Sequence, residues 1–474
     1  MTKANKPTPP IAKKIAKPLT IHGDTRIDPY YWLNQREDPE VVNYLKAEND
    51  YLEAELAHTK SFREQLFEEI KGRIKKTDMS VPYKDNGYYY LTRYEEGSEY
   101  PIFARKKASM EADEEIMIDA NVLAKPHKYY KAAGLQVSPD NRLLAYAEDT
   151  VSRRIYTLRF KNLETGEMLD DVIPNTTGSV VWANDNQTVF YTVKDEALRP
   201  YKVFRHRLGT DPSEDELIFH ESDDTFLVYL YKTKSDRFLV IGSYHTDTNE
   251  YQVLNADEPF GKWHTFHPRD VAGKLEYSIA HYEDQWYVLT NWDAKNFRLM
   301  QTPVTATGRD NWQEVIAHRE SVLIADMDIF KDYLVLSERI DGIRKLRVLP
   351  WQGADHYIDF GEDSYVAYTS INPEFDTELL RISYTSMTTP STTYDYNMRT
   401  RDKKLLKQQE VLGDFDASHY QSERIYATAR DGVRVPISLV YKKGTPKDGS
   451  APLLLYAYGS YGSSMDPYFS SELK

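Results

Sequence analysis

A short unit made of a turn and a strand recurs about every 48 residues along most of the chain. Residues 138–146 (SPDNRLLAY) and 183–191 (ANDNQTVFY) illustrate the unit, because each has an Asp in the turn and an alternating strand that ends in Tyr. Asp suits such turns, since its side chain can accept hydrogen bonds from the backbone of its own turn. The aspartates of seven such units are Asp85, Asp140, Asp185, Asp236, Asp284, Asp332 and Asp376.

This repeat restricts the fold, because a period of this length with several strands in each unit is typical of β-propeller blades. A further strand commonly follows the unit, as in residues 155–167 (IYTLRFKNLETGE). The 37 tyrosines and an aromatic content of 13% also favour strands. The units fill residues 78–405 and predict a seven-bladed β-propeller. The alternative is a pair of β-sandwiches whose turns have this spacing by coincidence.

Helical patterns precede the repeats in residues 1–77. Asp38 is a good N-cap and Pro39 suits the first helical position, which together predict that a helix begins here. Ser61, followed three residues later by Glu64, predicts a second helix that begins with a capping box. We therefore expect a small helical part ahead of the propeller.

The last part of the chain, residues 406–474, has a different pattern. Asp431 and Gly432 lie between two alternating segments, which predicts a β-hairpin. The apolar run at residues 453–459 (LLLYAYG) predicts a buried strand. Residues 470–474 (SSELK) resemble the beginning of a helix. Since 474 residues are too many for one ordinary core, two or more domains are expected.

Charge and composition exclude several classes of function. The formal net charge of −14 disfavours nucleic acid as a partner and is compatible with cationic ligands. The absence of cysteine excludes disulfides and thiolate chemistry. No stretch has the apolar core of a secretory leader or the ~20 apolar residues of a membrane span, so we expect a cytoplasmic protein. His264 and His267 lack partners at metal-ligand spacing, so neither a metal nor a cofactor is expected.

The segment after the propeller contains no complete catalytic triad. An α/β-hydrolase carries its nucleophile in a G-x-S-x-G turn, and the acid and the His follow it in the chain. The nearest string here is residues 462–466 (GSSMD), which lacks the second Gly, and no His follows His419. A Ser, Asp and His triad in that order therefore cannot be assembled from this segment.

The turn at residues 458–462 (YGSYG) is the most specific chemical feature of the segment. It follows the apolar run, where a hydrolase loop supplies an oxyanion-hole donor. A Tyr hydroxyl can donate to a developing oxyanion, as a backbone N–H does. The pattern also fits a glycine-permitted turn with two packing tyrosines, Tyr458 and Tyr461.

Several long motifs, in the same order, resemble those of the prolyl oligopeptidase family of serine peptidases. They lie outside and inside the repeat region and include residues 22–33 (HGDTRIDPYYWL), 384–396 (YTSMTTPSTTYDY), 429–441 (ARDGVRVPISLVY) and 456–470 (YAYGSYGSSMDPYFS). The resemblance runs from about residue 18 to the end of the sequence. It is strongest for the branch of the family that cleaves after basic residues.

The resemblance implies a seven-bladed propeller that covers an α/β-hydrolase domain built from both chain ends, residues 1–77 and 406–474. Access past the propeller would limit substrates to short peptides, which the enzyme would cleave after Arg or Lys. Tyr458 matches the family's oxyanion-hole tyrosine, Tyr461 an aromatic residue of the substrate pocket, and Asp466 an acid near the subsites for basic residues. Such an acid could pair with a guanidinium in a bidentate manner.

The resemblance also implies that several catalytic and specificity residues of the family are missing from this sequence. The family's Ser, Asp and His, and the glutamates that select the basic residue, correspond to positions beyond Lys474. Tyr468 stands where some members carry a second acid. We therefore expect a truncated hydrolase part that is inactive alone and that has the missing C-terminal catalytic segment as a partner, besides oligopeptides with basic residues. The alternative is a non-catalytic propeller that acts as a binding or scaffold module.

Overall fold

A computed structural model describes residues 7–413 and 415–470. The chain divides into two compact units, Met1–Ile74 and Lys75–Lys474. The expected helix start at residues 470–474 lies outside the described residues, apart from Ser470. None of the helices in the described parts of the chain has the length and hydropathy that a membrane span requires.

The first unit consists of a hairpin and two helices. Its elements are β1 (Lys17–Ile21), β2 (Asp24–Asp28), α1 (Pro39–Leu56) and α2 (Lys60–Gly72). The predicted start of α1 is confirmed, because the Asp38 carboxylate accepts a 2.8 Å hydrogen bond from the backbone N–H of Glu40. The Pro at the first helical position needs no backbone donor there.

The predicted capping box of α2 is wrong. The helix begins at Lys60, and no side chain caps its N-terminus. The chain enters it directly from α1 through a 3-10 turn, Ala57–Thr59, in which the Thr59 hydroxyl donates instead to the carbonyl of Leu56 at 2.8 Å. Because the chain is already helical before Ser61, this residue lies inside the helix and not at its cap.

The second unit contains five sheets in chain order between residues 83 and 408, antiparallel except for one pairing in the fifth. The first has four strands: β3 (Tyr83–Asp85), β4 (Tyr88–Arg93), β5 (Ile102–Lys107) and β6 (Glu114–Asp119), followed by the short helix α3 (Ala120–Ala124). The second has seven: β7 (Lys131–Val137), β8 (Leu143–Asp149), β9 (Tyr156–Asn162), β10 (Met168–Trp182), β11 (Thr188–Lys194), β12 (Pro200–Arg207) and β13 (Glu216–His220).

The third and fourth sheets follow the same meander, whereas the fifth departs from it. The third contains β14 (Leu227–Lys232), β15 (Phe238–Tyr244), β16 (Asn249–Asn255) and β17 (His264–Thr265). The fourth contains β18 (Tyr277–Tyr282), β19 (Gln285–Thr290), β20 (Arg298–Pro303) and β21 (Gln313–Ile316). The fifth contains β22 (Val322–Ile329), β23 (Tyr333–Ile340), β24 (Ile343–Pro350), β25 (His356–Tyr357), β26 (Val366–Thr369), β27 (Leu379–Thr385), β28 (Thr392–Asn397) and β29 (Lys403–Gln408). In this sheet β25 pairs with β24 off the main path, and β24 also pairs with β26.

Each of the two larger sheets joins two successive groups of strands. In the second sheet, the 15-residue strand β10 pairs with β9 along its first part and with β11 along its last part. In the fifth sheet, the two groups are joined by one parallel pairing, between Arg344 of β24 and Val366 of β26. The sheets pack face to face, because their buried clusters contain residues of neighbouring sheets. One cluster, for example, contains both Val240 of β15 and Trp286 of β19. Strands such as β19 are consequently apolar on both faces.

The predicted turn aspartates all lie at the connection between two consecutive antiparallel strands: β3–β4, β7–β8, β10–β11, β14–β15, β18–β19, β22–β23 and β26–β27. The predicted capping of their own backbone holds for two of them in the described residues. Asp140 accepts from the N–H of Arg142 at 3.1 Å, and Asp185 accepts from Gln187 at 3.1 Å and from Thr188 at 2.9 Å. The turns are therefore placed correctly by the sequence, but most of them are held by other bonds.

Those other bonds run from each turn to the next. The linked pairs are Asn86–Pro139, Asp140–Asn186, Asn184–Asp236, Arg237–Glu283, Tyr282–Lys331, Lys331–Asp376 and Lys84–Glu374, with donor–acceptor distances from 2.7 to 3.3 Å. The last pair connects the fifth sheet to the first, so the series closes on itself. Lys407 of β29 strengthens this closure, because its Nζ lies 2.6 Å from both the Asp78 carboxylate and the Met79 carbonyl.

After the sheets, the predicted hairpin is confirmed. It pairs β30 (Tyr420–Thr428) with β31 (Arg434–Lys442). Gly432 has φ 84°, a conformation that favours glycine, and the Asp431 carboxylate accepts from the N–H of Val433 at 3.1 Å.

The strand predicted at residues 453–459 is wrong. This segment has no regular secondary structure, and residues 453–456 are 73–77% exposed. In the described parts of the chain, no strand pairs with it. An apolar run becomes a buried strand only where neighbouring strands satisfy its backbone groups and cover its side chains.

Candidate active site

The segment at residues 466–469 is fastened to the fifth sheet by an ion pair. Arg339 of β23 binds the Asp466 carboxylate with both terminal nitrogens, at 2.6 Å and 3.1 Å. The two side chains are only 15% and 5% exposed. This is a bidentate, charge-assisted pair in a largely dry place, the strongest class of polar contact between side chains.

Apolar and backbone contacts complete the attachment. Pro467 is buried, and the N–H of Phe469 donates to the Thr385 hydroxyl of β27 at 3.2 Å. The Phe469 ring meets that of Phe415 edge to face, with centroids 5.1 Å apart. Asp466 precedes a proline, which favours extended backbone at Asp466.

The YGSYG turn, in contrast, stands in solvent. Tyr458 is 53% exposed and Tyr461 is 85% exposed. Among the described residues, neither phenol forms a hydrogen bond or a ring contact with another side chain. Both hydroxyls are therefore available to donate a hydrogen bond to a ligand.

Tyr461 also has an unusual backbone. It lies in the 3-10 turn Ser460–Gly462 with φ 56° and ψ 31°, the left-handed region that a non-glycine residue rarely adopts. Such a conformation costs on the order of 1 kcal/mol and is concentrated at functional turns. The following Gly462 has φ 72°, which glycine tolerates without strain.

Electrostatics around Asp466 involve a second arginine. Burial, and after it the charge of Asp466, raise the pKa of Tyr468, while Arg344 and Arg339 oppose the shift. Arg339 and Arg344 are directly opposite each other in the β23–β24 hairpin. Arg339 therefore binds the carboxylate directly, and Arg344 adds a second positive charge near Tyr468. Among the described residues, no group of His, Asp or Glu is suited to hold a metal ion.

The structure thus separates the site residues predicted from the sequence. Tyr458 and Tyr461 lie on the exposed turn, whereas Asp466 is held against the sheet, and no contact in the described chain joins them. Sequence reasoning missed Arg339 and Thr385, which are separated from their partners by 127 and 84 residues. No local pattern identifies such partners.

Comparison with known families shows the family to which the chain belongs. The family model described as "Prolyl oligopeptidase, N-terminal beta-propeller domain" matches residues 9–409, most of the chain. The chain belongs to the prolyl oligopeptidase family. The predicted β-propeller is confirmed by this match.

Curated relatives support the family assignment along nearly the whole chain. Dipeptidyl aminopeptidase BI of Pseudoxanthomonas mexicana is 42% identical, over 98% of this chain and 66% of the relative. Protease 2 of Moraxella lacunata is 36% identical, over 97% of this chain and 67% of the relative. The chain therefore spans about two thirds of the length of these family members.

Solved structures agree with the sequence relatives. Oligopeptidase B from Leishmania major superposes with a TM-score of 0.90 at 29% identity, covering 98% of this chain and 69% of that protein. Oligopeptidase B from Trypanosoma brucei, in a closed form with covalently bound antipain, gives a TM-score of 0.89 at 31% identity, with the same coverage. The predicted resemblance to serine oligopeptidases is therefore confirmed at the level of the family.

Proposed function

We propose that this chain is the propeller-bearing part of a serine-type oligopeptidase that hydrolyses short peptides after Arg or Lys. The observation that carries the proposal is the superposition of 98% of the chain on oligopeptidase B from Leishmania major. The net charge of −14 agrees with a cationic substrate. We place this enzyme in the cytoplasm, in keeping with the absence of cysteine.

The proposed architecture has three parts along the chain. Residues 1–77 and 406–474 would contribute to an α/β-hydrolase domain, and residues 78–405 would form a seven-bladed propeller. The seven strand-to-strand turns, each bonded to the next, support the blade count, since each turn would belong to one blade. The propeller would admit short peptides and keep folded proteins out.

Within this proposal, Tyr458 donates its hydroxyl to the oxyanion that forms when the serine attacks the scissile carbonyl. Tyr461 lines the substrate pocket, and Asp466 belongs to a subsite next to the basic residue. The Ser nucleophile, the His general base and the Asp that orients it would lie in a C-terminal catalytic segment beyond these residues. The 474-residue chain alone would then be inactive and would need that segment as its partner.

An activity assay tests the proposal directly. The protein extended by its catalytic segment and the 474-residue chain are each incubated with chromogenic dipeptides that end in Arg, Lys, Ala or Pro. We expect release of the chromophore by the extended protein, fastest after Arg and Lys, and none by the chain alone. Hydrolysis by the chain alone would overturn the assignment of the triad. No hydrolysis by either protein would favour a non-catalytic binding module.

The role of Tyr458 is tested in the extended protein with Tyr458→Phe. Removing the hydroxyl should lower kcat by roughly 10–1000-fold with little change in KM, because the bond forms mainly in the transition state. Tyr456→Phe is the matched control, since Tyr456 is 74% exposed on the same segment. An unchanged kcat for Tyr458→Phe would rule out the oxyanion-hole role.

A further inference from the structure

The Asp466 carboxylate is already bound by a guanidinium that belongs to the protein. Both carboxylate oxygens are engaged by the two terminal nitrogens of Arg339. One of those nitrogens also donates to the carbonyl of Gly342 at 2.9 Å, which fixes the guanidinium to its own hairpin. The cation is therefore held in place on rigid structure before any ligand arrives.

A substrate arginine would bring the same chemical group to the same carboxylate. A guanidinium binds a carboxylate best through two parallel N–H···O bonds. Arg339 already forms both of these bonds with Asp466, so a substrate guanidinium could pair in the same way only after displacing Arg339. Displacement would leave a largely buried Arg339 without its partner, which is unfavourable.

From this geometry we infer that Arg339 is a specificity-determining residue, an internal substitute for a basic substrate side chain that keeps the Asp466 subsite closed to cations. The inference rests on the proposed function, because it concerns a subsite of that enzyme. It predicts that the wild-type protein gains little from a basic residue at the position that meets Asp466. The preference for Arg or Lys at the cleaved bond is a separate property.

The test compares two substrates in the extended protein. Both end in Arg at the cleaved bond, and they differ only in having Arg or Gln at the neighbouring position. Arg339→Gln should raise the ratio of kcat/KM for Arg over Gln by at least tenfold, through a lower KM for the Arg substrate. Arg339→Lys, which keeps the charge but loses the fork, should raise the ratio by a smaller factor.

Arg381→Gln is the matched control. Arg381 forms a similar bidentate pair with Asp395 inside the fifth sheet, at 2.9 Å and 3.1 Å, with side chains 16% and 17% exposed. This variant should lower the melting temperature without changing the substrate ratio. If Arg339→Gln likewise lowers only the melting temperature and leaves the ratio within twofold, the pair is structural and the inference is wrong.

A binding measurement separates this inference from the proposed peptidase activity. Calorimetric titration uses arginyl-argininamide as the probe and needs no hydrolysis. Arg339→Gln should bind it at least tenfold more tightly than wild type, and Arg339→Gln with Asp466→Asn should lose the gain. Tighter binding in a protein without hydrolysis would support the inference and refute the peptidase proposal. Equal binding by all three proteins would refute the inference.

Discussion

Two similar strings of residues, identical at four of six positions, have opposite surroundings in this molecule. Residues 143–148 (LLAYAE) lie in β8, paired on both sides, and Leu144 to Ala147 are at most 1% exposed. Residues 453–458 (LLLYAY) form no strand, and most of their large side chains are about three-quarters exposed. Local propensity favours a strand at residues 453–458 at least as much as at residues 143–148, so the difference between them comes from neighbouring strands, which only residues 143–148 have.

The same contrast holds for the larger regions that contain the two strings, residues 83–408 and residues 415–470. The sheets between residues 83 and 408 pair their backbone mostly between consecutive strands, and they hold buried charged groups such as His206, Asp171 and Asp215 in contact with one another. Residues 415–470 contain one hairpin and an attachment point at residues 466–469. Matched substitutions in the two regions should therefore have very different effects on stability.

The largest difference in stability loss between the two regions is expected for a pair of histidine substitutions. His206 is fully buried, with Nδ1 2.7 Å from Asp215 and Nε2 3.0 Å from Asp171. At pH 6, where a raised pKa leaves the ring protonated, His206→Gln should lower the free energy of unfolding by about 4 kcal/mol, because it removes a cation between two buried carboxylates. His419 is the exposed counterpart, since its side chain is 61% exposed and lies 3.7 Å from Asp416. His419→Gln should change the free energy of unfolding by less than about 0.5 kcal/mol. Urea unfolding followed by tryptophan fluorescence measures both values.

The same histidine predicts a pH dependence. Burial opposes its charge, but the hydrogen bonds and charges of Asp215 and Asp171 outweigh burial and raise the pKa of His206. Tyr191, which donates to Asp215 at 2.8 Å, also faces this cluster. A raised pKa means that the stabilisation is complete below about pH 6.5 and is lost as the pH rises through the folded-state pKa. Melting curves from pH 6 to 9 should show this loss in wild type and not in His206→Gln.

A leucine pair gives the next largest difference. Leu144→Ala removes a side chain that is 0% exposed and should lower the free energy of unfolding by about 3 kcal/mol. Leu454→Ala removes one that is 73% exposed and should change it by less than about 0.5 kcal/mol. Similar losses in the two variants would mean that residues 453–458 are buried in solution.

A glycine pair gives the smallest difference. Gly134 has φ 60°, and a Cβ there would lie 2.0 Å from the carbonyl oxygen of Gly178, where β7 passes an irregularity of β10. Gly134→Ala should lower the free energy of unfolding by about 2 kcal/mol. Gly459 has φ −161° and open space around it, so Gly459→Ala should leave stability unchanged within error. Equal melting temperatures for both variants would show that the β7–β10 contact can relax.

The sequence predicts those parts of the structure that depend on local chemistry. The seven turns, the α1 cap at Asp38 and the hairpin at Asp431 and Gly432 each follow from residues a few positions apart. Apolar alternation identifies strands, but it does not say which strands have neighbours. That is why residues 453–459 carry a strand pattern without forming a strand.

The candidate site is less predictable for the same reason. Family motifs predict Tyr458, Tyr461 and Asp466 as site residues, but they do not reveal what each side chain contacts. The Arg339–Asp466 pair joins residues 127 positions apart, and an arginine on a strand has no feature that marks its partner. Long-range pairing of this kind depends on how the sheets are arranged.

The central claim is that neighbouring strands, and not local sequence, decide whether residues 143–148 and 453–458 form a strand. Hydrogen exchange on the 474-residue chain tests this claim most directly. Peptides from residues 143–149 should stay protected for hours, whereas those from residues 453–459 should exchange within about the first minute. The Phe469 amide, bonded to Thr385, should exchange more slowly than residues 453–459. Protection of residues 453–459 equal to that of residues 143–149 would contradict the account.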